Sequence, residues 1–526
     1  MECPEYCEIN SNMTLDYINW LLMEDTDEKA NIYQVHDALQ AMEKPFYDIL
    51  GRAYPFSPKE TMISTDSQIV CPQDSSNNYT ELACSCSFRG AEEANKFVPS
   101  IEMLAVDSNK MIGEAIGQKS KHFHYDAAHL REMKAKEATN SSQNVQRKGG
   151  QWQCAQAIAV NNVPFASEIL KKIRHHTSPY GDGSQRLALY FANGLEARLV
   201  GTGSKIYQKL MEKRTRATEM LKAYRLFSAI CPFTNVAYYF SNQTIVDVSN
   251  GQPKVHIIDF GITLGFQWPS LIQRFAKREG GPPKLRITGI DVPQQGFRPG
   301  AMVELTGKRL AEYAKMFNVP FQYQGIASQW ENICIENLKI ENDGVLIINC
   351  MYRTKYLGDE TEDIDSPRDR VLRIMKRINP DVLILGIVNG FYSSPFFLPR
   401  FREVLFHYSS LFDMLNATVL QSHEERIQIE RDLLGAGALN VVACEGAERV
   451  ERPETYKQWQ VRSLKAGFKQ LPVNQAILKR SIDEKNKHYH DDFVIDEDSG
   501  WLLQGWKGRI MHAVSSWKPK ESYTNQ

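Results

Sequence analysis

Along the 526-residue chain the spacing of apolar positions changes twice, and each change marks a different kind of structure. Before about residue 150, apolar residues occur only as short islands between polar clusters such as Thr65-Asp66-Ser67 and Asp74-Ser75-Ser76-Asn77-Asn78. Such a stretch buries too little surface to offset the entropy of ordering it, so residues 1–150 read as a largely disordered arm. Within it, Leu15, Ile18, Leu21 and Leu22, with Tyr17 and Trp20, fall near helical spacing and are flanked by Asp16, Glu24, Asp25, Asp27 and Glu28. This acidic-amphipathic pattern suits a candidate activation segment that recruits other proteins. The alternative is a helix that docks on its own domain.

From Gln153 to about Phe240 the period is helical: Leu187, Phe191, Leu195 and Leu199 recur every four residues, as do Phe165, Ile169 and Ile173, and Ala217, Leu221 and Tyr224 follow a similar spacing. Ser178-Pro179 and Gly181-Asp182-Gly183 interrupt the pattern too early for a coiled coil, so these faces pack as a bundle. After about residue 250 short apolar runs appear at Val255–Ile258, Leu285–Ile290, Val345–Ile348, Val382–Leu385 and Asn440–Ala443. Nearly continuous apolar strands separated by helical stretches predict an α/β fold with a mostly parallel sheet covered on both faces. Ser366-Pro367 predicts a hydroxyl-capped helix start, with Asn379-Pro380 as its stop. The expected division is an arm over 1–150 and a domain over 151–520, with a helical cap mainly in 151–240 and an α/β core in 241–520.

Charge sharpens this division. The net charge of -1 conceals 17 acidic and 6 basic residues in the first hundred positions, against 40 acidic and 48 basic beyond residue 150. The domain is mildly basic, far below the dense footprint of a dedicated DNA reader. Its cysteines form no CxxC pair and no zinc-type cluster, and Cys350 sits among apolar neighbours, which reads as reduced, buried thiols. The N-terminus lacks a basic-then-apolar signal pattern, and no run of about 18 apolar residues spans a bilayer, so an intracellular, soluble protein is expected.

The first strand ends in Asp259-Phe260-Gly261-Ile262-Thr263-Leu264-Gly265, and the second in Gly289-Ile290-Asp291. Glycines after one strand and an acid after the next are how nucleotide or S-adenosylmethionine pockets are built. Thr263 stands where a methyltransferase-type loop carries a second glycine, which narrows the approach. The run Val255-His256-Ile257-Ile258-Asp259, followed by Gly265-Phe266-Gln267-Trp268-Pro269, resembles the VHIID signature of the GRAS family. Asn379-Pro380-Asp381 through Gly390, Pro395-Phe396-Phe397 and Arg400-Phe401-Arg402-Glu403 are similar to its PFYRE region. Arg449-Val450-Glu451-Arg452, Trp501 to Trp506 and Ser515-Ser516-Trp517 match its SAW region. In the arm, Leu39 to Tyr47 resembles the N-terminal motif of the lily SCARECROW-like branch. One departure is that Lys148-Gly149-Gly150 runs straight into Cys154-Ala155-Gln156-Ala157, which shortens the first cap helix.

The resemblance covers about residues 152–519. It implies a Rossmann-like, methyltransferase-related core with a helical cap, nuclear residence and a transcription factor or coregulator acting through protein contacts, as a homodimer or a heterodimer with other GRAS proteins. It implies no cofactor and an indirect route to DNA. The family's leucine-rich partner surfaces carry over to Leu187, Leu195 and Leu199, and loosely to Leu372, Ile374 and Ile378. Arg400, Arg402 and Glu403 are either an internal ion pair or partner-facing. His256 reads as a core histidine. Asp259 and Asp291 cap backbone or, with Gly261 and Gly265, bind a sugar. Trp501, Trp506 and Trp517 read as fold-closing core, and Arg274, Lys277, Arg278, Lys507 and Arg509 are the basic groups to test for DNA. The alternatives are an S-adenosylmethionine-dependent methyltransferase and a direct sequence-specific DNA binder.

Overall fold

The computed structural model describes residues 11–27, 149–212, 217–294, 298–361 and 365–520. The motif at Leu39–Tyr47 and the polar clusters of the arm lie outside the described residues. Helix α1 (Ser11–Asp27) forms one compact unit with residues from 146 onward. Of the two readings of this helix, docking on its own domain is the one the structure adopts: Tyr17, Ile18 and Leu21 are fully buried.

One nine-stranded sheet organises the domain. Strands β1 (Lys254–Phe260), β2 (Lys284–Asp291), β3 (Phe321–Ala327), β4 (Val345–Met351) and β5 (Val382–Val388) run parallel in the order 3-2-1-4-5. The C-terminal strands β7 (Phe493–Asp498), β8 (Trp501–Trp506) and β9 (Arg509–Pro519) add an antiparallel half, with β9 against β5 and the short β6 (Phe468–Gln470) beside its end. Strand order reverses between β1 and β4, so the crevice that serves open α/β sheets as a binding site lies at their C-terminal ends.

The cap contains α2 (residues 149–159), α3 (Val163–His175), α4 (Gly183–Leu199), α5 (Gly203–Glu212) and α6 (Ala217–Ile230). The loop read as a break at Gly181-Asp182-Gly183 starts α4: the Asp182 carboxylate accepts from the Gln185 N–H and the Gln185 side chain accepts from Asp182 N–H. Helices α7 (Pro232–Val248), α8 (Trp268–Ala276) and α9 (Ala301–Met316) cover one sheet face, and α10 (Pro367–Ile378) lies on the other. The cap draws further on α11 (Phe397–Thr418), α12 (Glu424–Gln428), a π-helical turn (Ile429–Gly435) and α13 (Ala436–Ala443), so its helices come from well beyond residue 240. Helices α14 (Tyr456–Lys465) and α15 (Gln475–His488) complete the domain.

The apolar strand runs have a simple cause. Ile257, Ile347 and Ile384 enter one core while Ile258, Ile348, Leu383 and Leu385 enter the other, so no face is left to water. Two local readings need correction. Asn440–Ala443 is the end of α13 and not a strand: its apolar run is buried because α13 lies so close to α4 that a Cβ on Gly194 would meet Val442 at 3.1 Å. Helix α10 keeps its expected bounds, but Ser366 makes no side-chain cap and its buried hydroxyl has no hydrogen-bond partner.

Candidate functional site

The loop after β1 is built from backbone that only special residues tolerate. Gly261 sits at φ 96°, Thr263 at 48° and Gly265 at 69°, and for a β-branched threonine the left-handed region is strained. The loop is held there by bonds to its own surroundings. The N–H groups of Gly261 and Ile262 donate to Ile290 O at 2.8 and 3.2 Å, and Gly265 N–H donates to Ile262 O at 2.9 Å. Asp291 accepts from Thr263 N–H at 3.1 Å and from Val292 N–H at 2.9 Å, and the Thr306 hydroxyl donates to Thr263 O at 2.7 Å. Asp291 thus caps two backbone amides in this fold.

Side chains occupy the space beside this loop. Arg353, just past β4, reaches Asp291 at 3.5 Å, and its stem lies where a Cβ on Gly261 would be 2.4 Å from Cγ. At Gly289 on β2, a Cβ would stand 2.4 Å from the Tyr323 hydroxyl and 2.8 Å from Ile262. The acid, the glycines and the loop amides that suit a nucleotide pocket are thus engaged with one another and with Arg353, Tyr323 and Ile262. The sequence did not single out Arg353 or Tyr323, because nothing in their spacing links them to a loop so far back along the chain.

Asp259 is engaged by side chains of its own domain. Its carboxylate accepts from the Trp268 indole N–H at 2.9 Å and from the Asn349 amide at 3.0 Å. The network continues from Ser241 to Asn349 at 2.8 Å, from Gln267 to Ser241 at 2.8 Å and from Asn242 to Ser270 at 2.8 Å. VHIID and the following Gln267-Trp268 are therefore one buried polar lock joining β1, β4, α7 and α8. Polar Asn349 inside the apolar run Ile347-Ile348-Asn349-Cys350 was the available sequence signal.

Burial outweighs both hydrogen bonds and pushes the Asp259 carboxyl up from 3.8 to about 7. The folded state then holds this proton longer than the unfolded chain does. Its contribution to stability is complete below about pH 4 and is lost as pH rises toward 7, on the order of a few kcal/mol. Asp259→Asn is expected to abolish that slope in pH-dependent unfolding. It is also expected to be destabilising at acid pH, because its amide must face either the Trp268 or the Asn349 donor. An unchanged slope would place the titrating group elsewhere.

The remaining candidates divide by burial. Val255, Ile257 and Ile258 are core, and half-buried His256 bonds Thr288 at 2.9 Å, with burial and Arg286 lowering it to about 4, as suits a neutral histidine. Arg400 is fully buried, donating to Val441 O at 3.1 Å and to Ser394 O and Pro395 O at 3.0 Å, and pairing with Glu445. Of the two readings weighed for it, its burial and the pair with Glu445 fit the internal ion pair. Arg402 and Glu403 pair at 3.5 Å on the outer side of α11, with the Arg402 side chain 42% exposed. Leu187, Leu195, Leu372 and Ile378 are buried within the domain's own cores, so a partner surface does not fall to them as the fold stands; Leu199 and Ile374 stay half-buried.

Trp501, Trp506 and Trp517 are buried, as fold-closing residues should be. The basic groups separate into two sets, each committed locally. Arg278 donates to Gly281 O and Gln252 O at 2.9 Å and Arg274 to Gln243, while Lys277 is exposed. Lys507 pairs with Asp413 at 2.8 Å and Arg509 with Glu403 at 3.7 Å. Among the described residues no group of three or more His, Cys, Asp or Glu could hold a metal ion, and no helix is long and apolar enough to cross a membrane. Cys154, Cys231, Cys350 and Cys444 are buried free thiols.

A parallel five-stranded core with a reversal at β1/β4, an antiparallel C-terminal half and a helical cap defines a Rossmann-like domain whose switch-point loop is bonded to its own framework. The chain belongs to the GRAS domain family, which matches residues 152–518. It is similar to Scarecrow-like protein 9 of Arabidopsis thaliana, with 54% identity over 367 residues, 70% of this chain and 51% of that protein. It thus spans about half the length of that relative. Scarecrow-like protein 11 of the same plant is 41% identical over 99% of this chain and 91% of its own length. Scarecrow-like transcription factor PAT1, also from Arabidopsis thaliana, is 34% identical over 69% of this chain and 74% of its own. The crystal structure of SCL7 from Oryza sativa superposes with a TM-score of 0.61 and 29% identity, covering 71% of this chain and 99% of that one.

Proposed function

We propose that this chain is a plant transcriptional regulator that works in the nucleus through contacts with other transcription factors or coregulators, catalyses no reaction and reaches DNA through a DNA-bound partner. Family membership and the relative named as a transcription factor support the regulatory part. The observation that carries the mechanistic part is the loop after β1. Its amides and Asp291 bond to each other, and Arg353 fills the approach to Gly261, so the elements of a cofactor pocket serve as scaffold. Of the basic candidates, Arg274, Arg278, Lys507 and Arg509 are tied to carbonyls, amides or carboxylates of their own domain, which argues against a contiguous phosphate-tracking groove.

The surface that suits a protein partner lies at the start of α11. Phe396 is 72% exposed, and Phe391 and Phe406 are also exposed, beside Arg402, Glu403 and an Arg509 guanidinium over the Phe406 ring. Exposed aromatics bordered by arginine are the composition of interface centres. The test is to tether the full chain to a reporter promoter through a foreign DNA-binding domain in plant cells, and to titrate the purified chain with promoter DNA at physiological salt. A several-fold change in reporter output without saturable binding of DNA by the chain alone is expected. An inert tethered chain would refute the regulatory reading, and tight binding to DNA alone would refute the indirect route.

A further inference from the structure

The acidic-amphipathic helix near the N-terminus has a receptor on the same chain. Tyr17 lies edge-on to Tyr313 of α9 at 5.2 Å and to Phe266 at 6.4 Å, Phe266 in turn meets Tyr224 of α6 at 5.2 Å, and Trp20 meets Tyr313 at 6.1 Å. Ile18 and Leu21 are buried in the same core, and the Arg225 guanidinium of α6 donates to the Asn19 side chain at 3.3 Å. Asp16 and Asn19 face water. The contact is an amphipathic helix laid into an aromatic groove between α6, α8 and α9, read by an aromatic residue at one position and apolar residues one and four positions later.

Two features make this helix a ligand rather than an ordinary core element. It belongs to the same compact unit as residues from 146 onward, although more than a hundred positions of sequence separate it from them. Seventeen residues, with no acidic side chain in the first turn and no basic one in the last, make a helix that is marginal by itself. Its order therefore depends on the groove.

We propose that α1 is an exchangeable self-ligand: docked, its Tyr17-Ile18-Trp20-Leu21 face and the groove at Tyr224, Phe266 and Tyr313 mask each other, and release exposes both. That the masked face recruits transcription machinery rests on the regulator reading above, whereas the self-occupancy of the groove does not. A tethered ligand competes at an effective concentration on the order of millimolar, so the intact chain should resist the same helix offered from solution.

The experiment uses a fluorescein-labelled peptide of residues 11–27 and the full-length chain, wild type and carrying Ile18→Asp with Leu21→Asp, which empties the groove without altering it. Fluorescence anisotropy is expected to show the peptide binding the substituted chain at least about tenfold more tightly than the wild type, as removal of a tethered competitor requires. A peptide bearing the same two substitutions is expected not to bind. Hydrogen exchange on the unaltered chain provides a second readout: isotope-labelled peptide in excess of the tether's effective concentration, on the order of millimolar, should strip protection from the chain's own α1 amides and leave those of α8 and α9 protected. Equal affinity for both chains, binding to neither, or α1 amides that stay protected under excess peptide would overturn the proposal. Because these readouts need no promoter, they stand even if a tethered reporter stays silent, which would count against the regulator reading alone.

Discussion

Glu430→Ala is expected to lower the unfolding free energy by about 3–5 kcal/mol, because it strands two buried positive charges. The Glu430 carboxylate receives Arg186 of α4 at 2.7 Å and Arg426 of α12 at 2.9 Å, and all three side chains are 1% exposed. Arg426 also donates to Val419 O at 2.6 Å and Arg186 to Gln421 O, so the arginines cannot swing out to water without breaking the cap. The contrast makes the prediction specific. Replacing Arg186 and Arg426 with methionine and Glu430 with leucine together should be much less harmful than Glu430→Ala alone, since apolar substitutes leave no uncompensated charge. Chemical denaturation of the full chain decides it. A single substitution no worse than the triple would mean that the cluster contributes packing but no electrostatic constraint.

Trp517→Ala is expected to be as severe, about 3–5 kcal/mol, from loss of the ring and the cavity left behind. Trp517 is fully buried in β9, opposite Leu383 of β5 and Gln470 of β6, with its indole donating to Ser515 at 2.8 Å and its ring 6.0 Å from Trp501. It therefore closes the junction between the parallel and antiparallel halves of the sheet. Phe396→Ala, at a 72% exposed ring, should change stability within about 0.5 kcal/mol by the same denaturation assay. Comparable losses at the two sites would remove the distinction drawn between a fold-closing tryptophan and a surface aromatic.

What the sequence revealed depended on whether a residue's environment is set by its neighbours in the chain. Strands β1, β2, β4 and β5 were legible because both their faces are covered and their apolar runs are nearly unbroken. Strand β3 was not: Phe321-Gln322-Tyr323-Gln324-Gly325-Ile326-Ala327 lies at the sheet edge, half-buried, with polar residues at alternate positions. Asn440–Ala443 misled because four apolar-looking residues suit a buried helix end as well as a strand. At the switch point, the glycines and acids were identified from the sequence, but their engagement depends on Arg353 and Tyr323, which only the fold brings near. Arg400 was ambiguous for the same reason, since the carbonyls of Ser394, Pro395 and Val441 that surround it are gathered by the α11–α13 packing.

The candidate surface follows from these placements. Of the leucines expected from the family resemblance to meet partners, Leu187, Leu195 and Leu372 are inside and Leu199 is half-buried, whereas exposed aromatic and arginine side chains lie along the stretch from the end of β5 into α11. The polar lock built on Asp259, Gln267, Trp268 and Asn349 gives the VHIID run a structural role: it pins the first strand, the fourth and two helices through one buried set of hydrogen bonds.

The central claim is that the switch-point crevice serves as scaffold rather than as a cofactor pocket, and it is tested most directly by the thermal unfolding of the purified chain with and without saturating S-adenosylmethionine. A ligand that binds only the folded state must raise the midpoint, by about 2.7 kcal/mol of added stability at a hundredfold excess over its dissociation constant. The account predicts a cooperative transition that the cofactor does not move. A clear upward shift would contradict it and make a methyltransferase the better description of this domain.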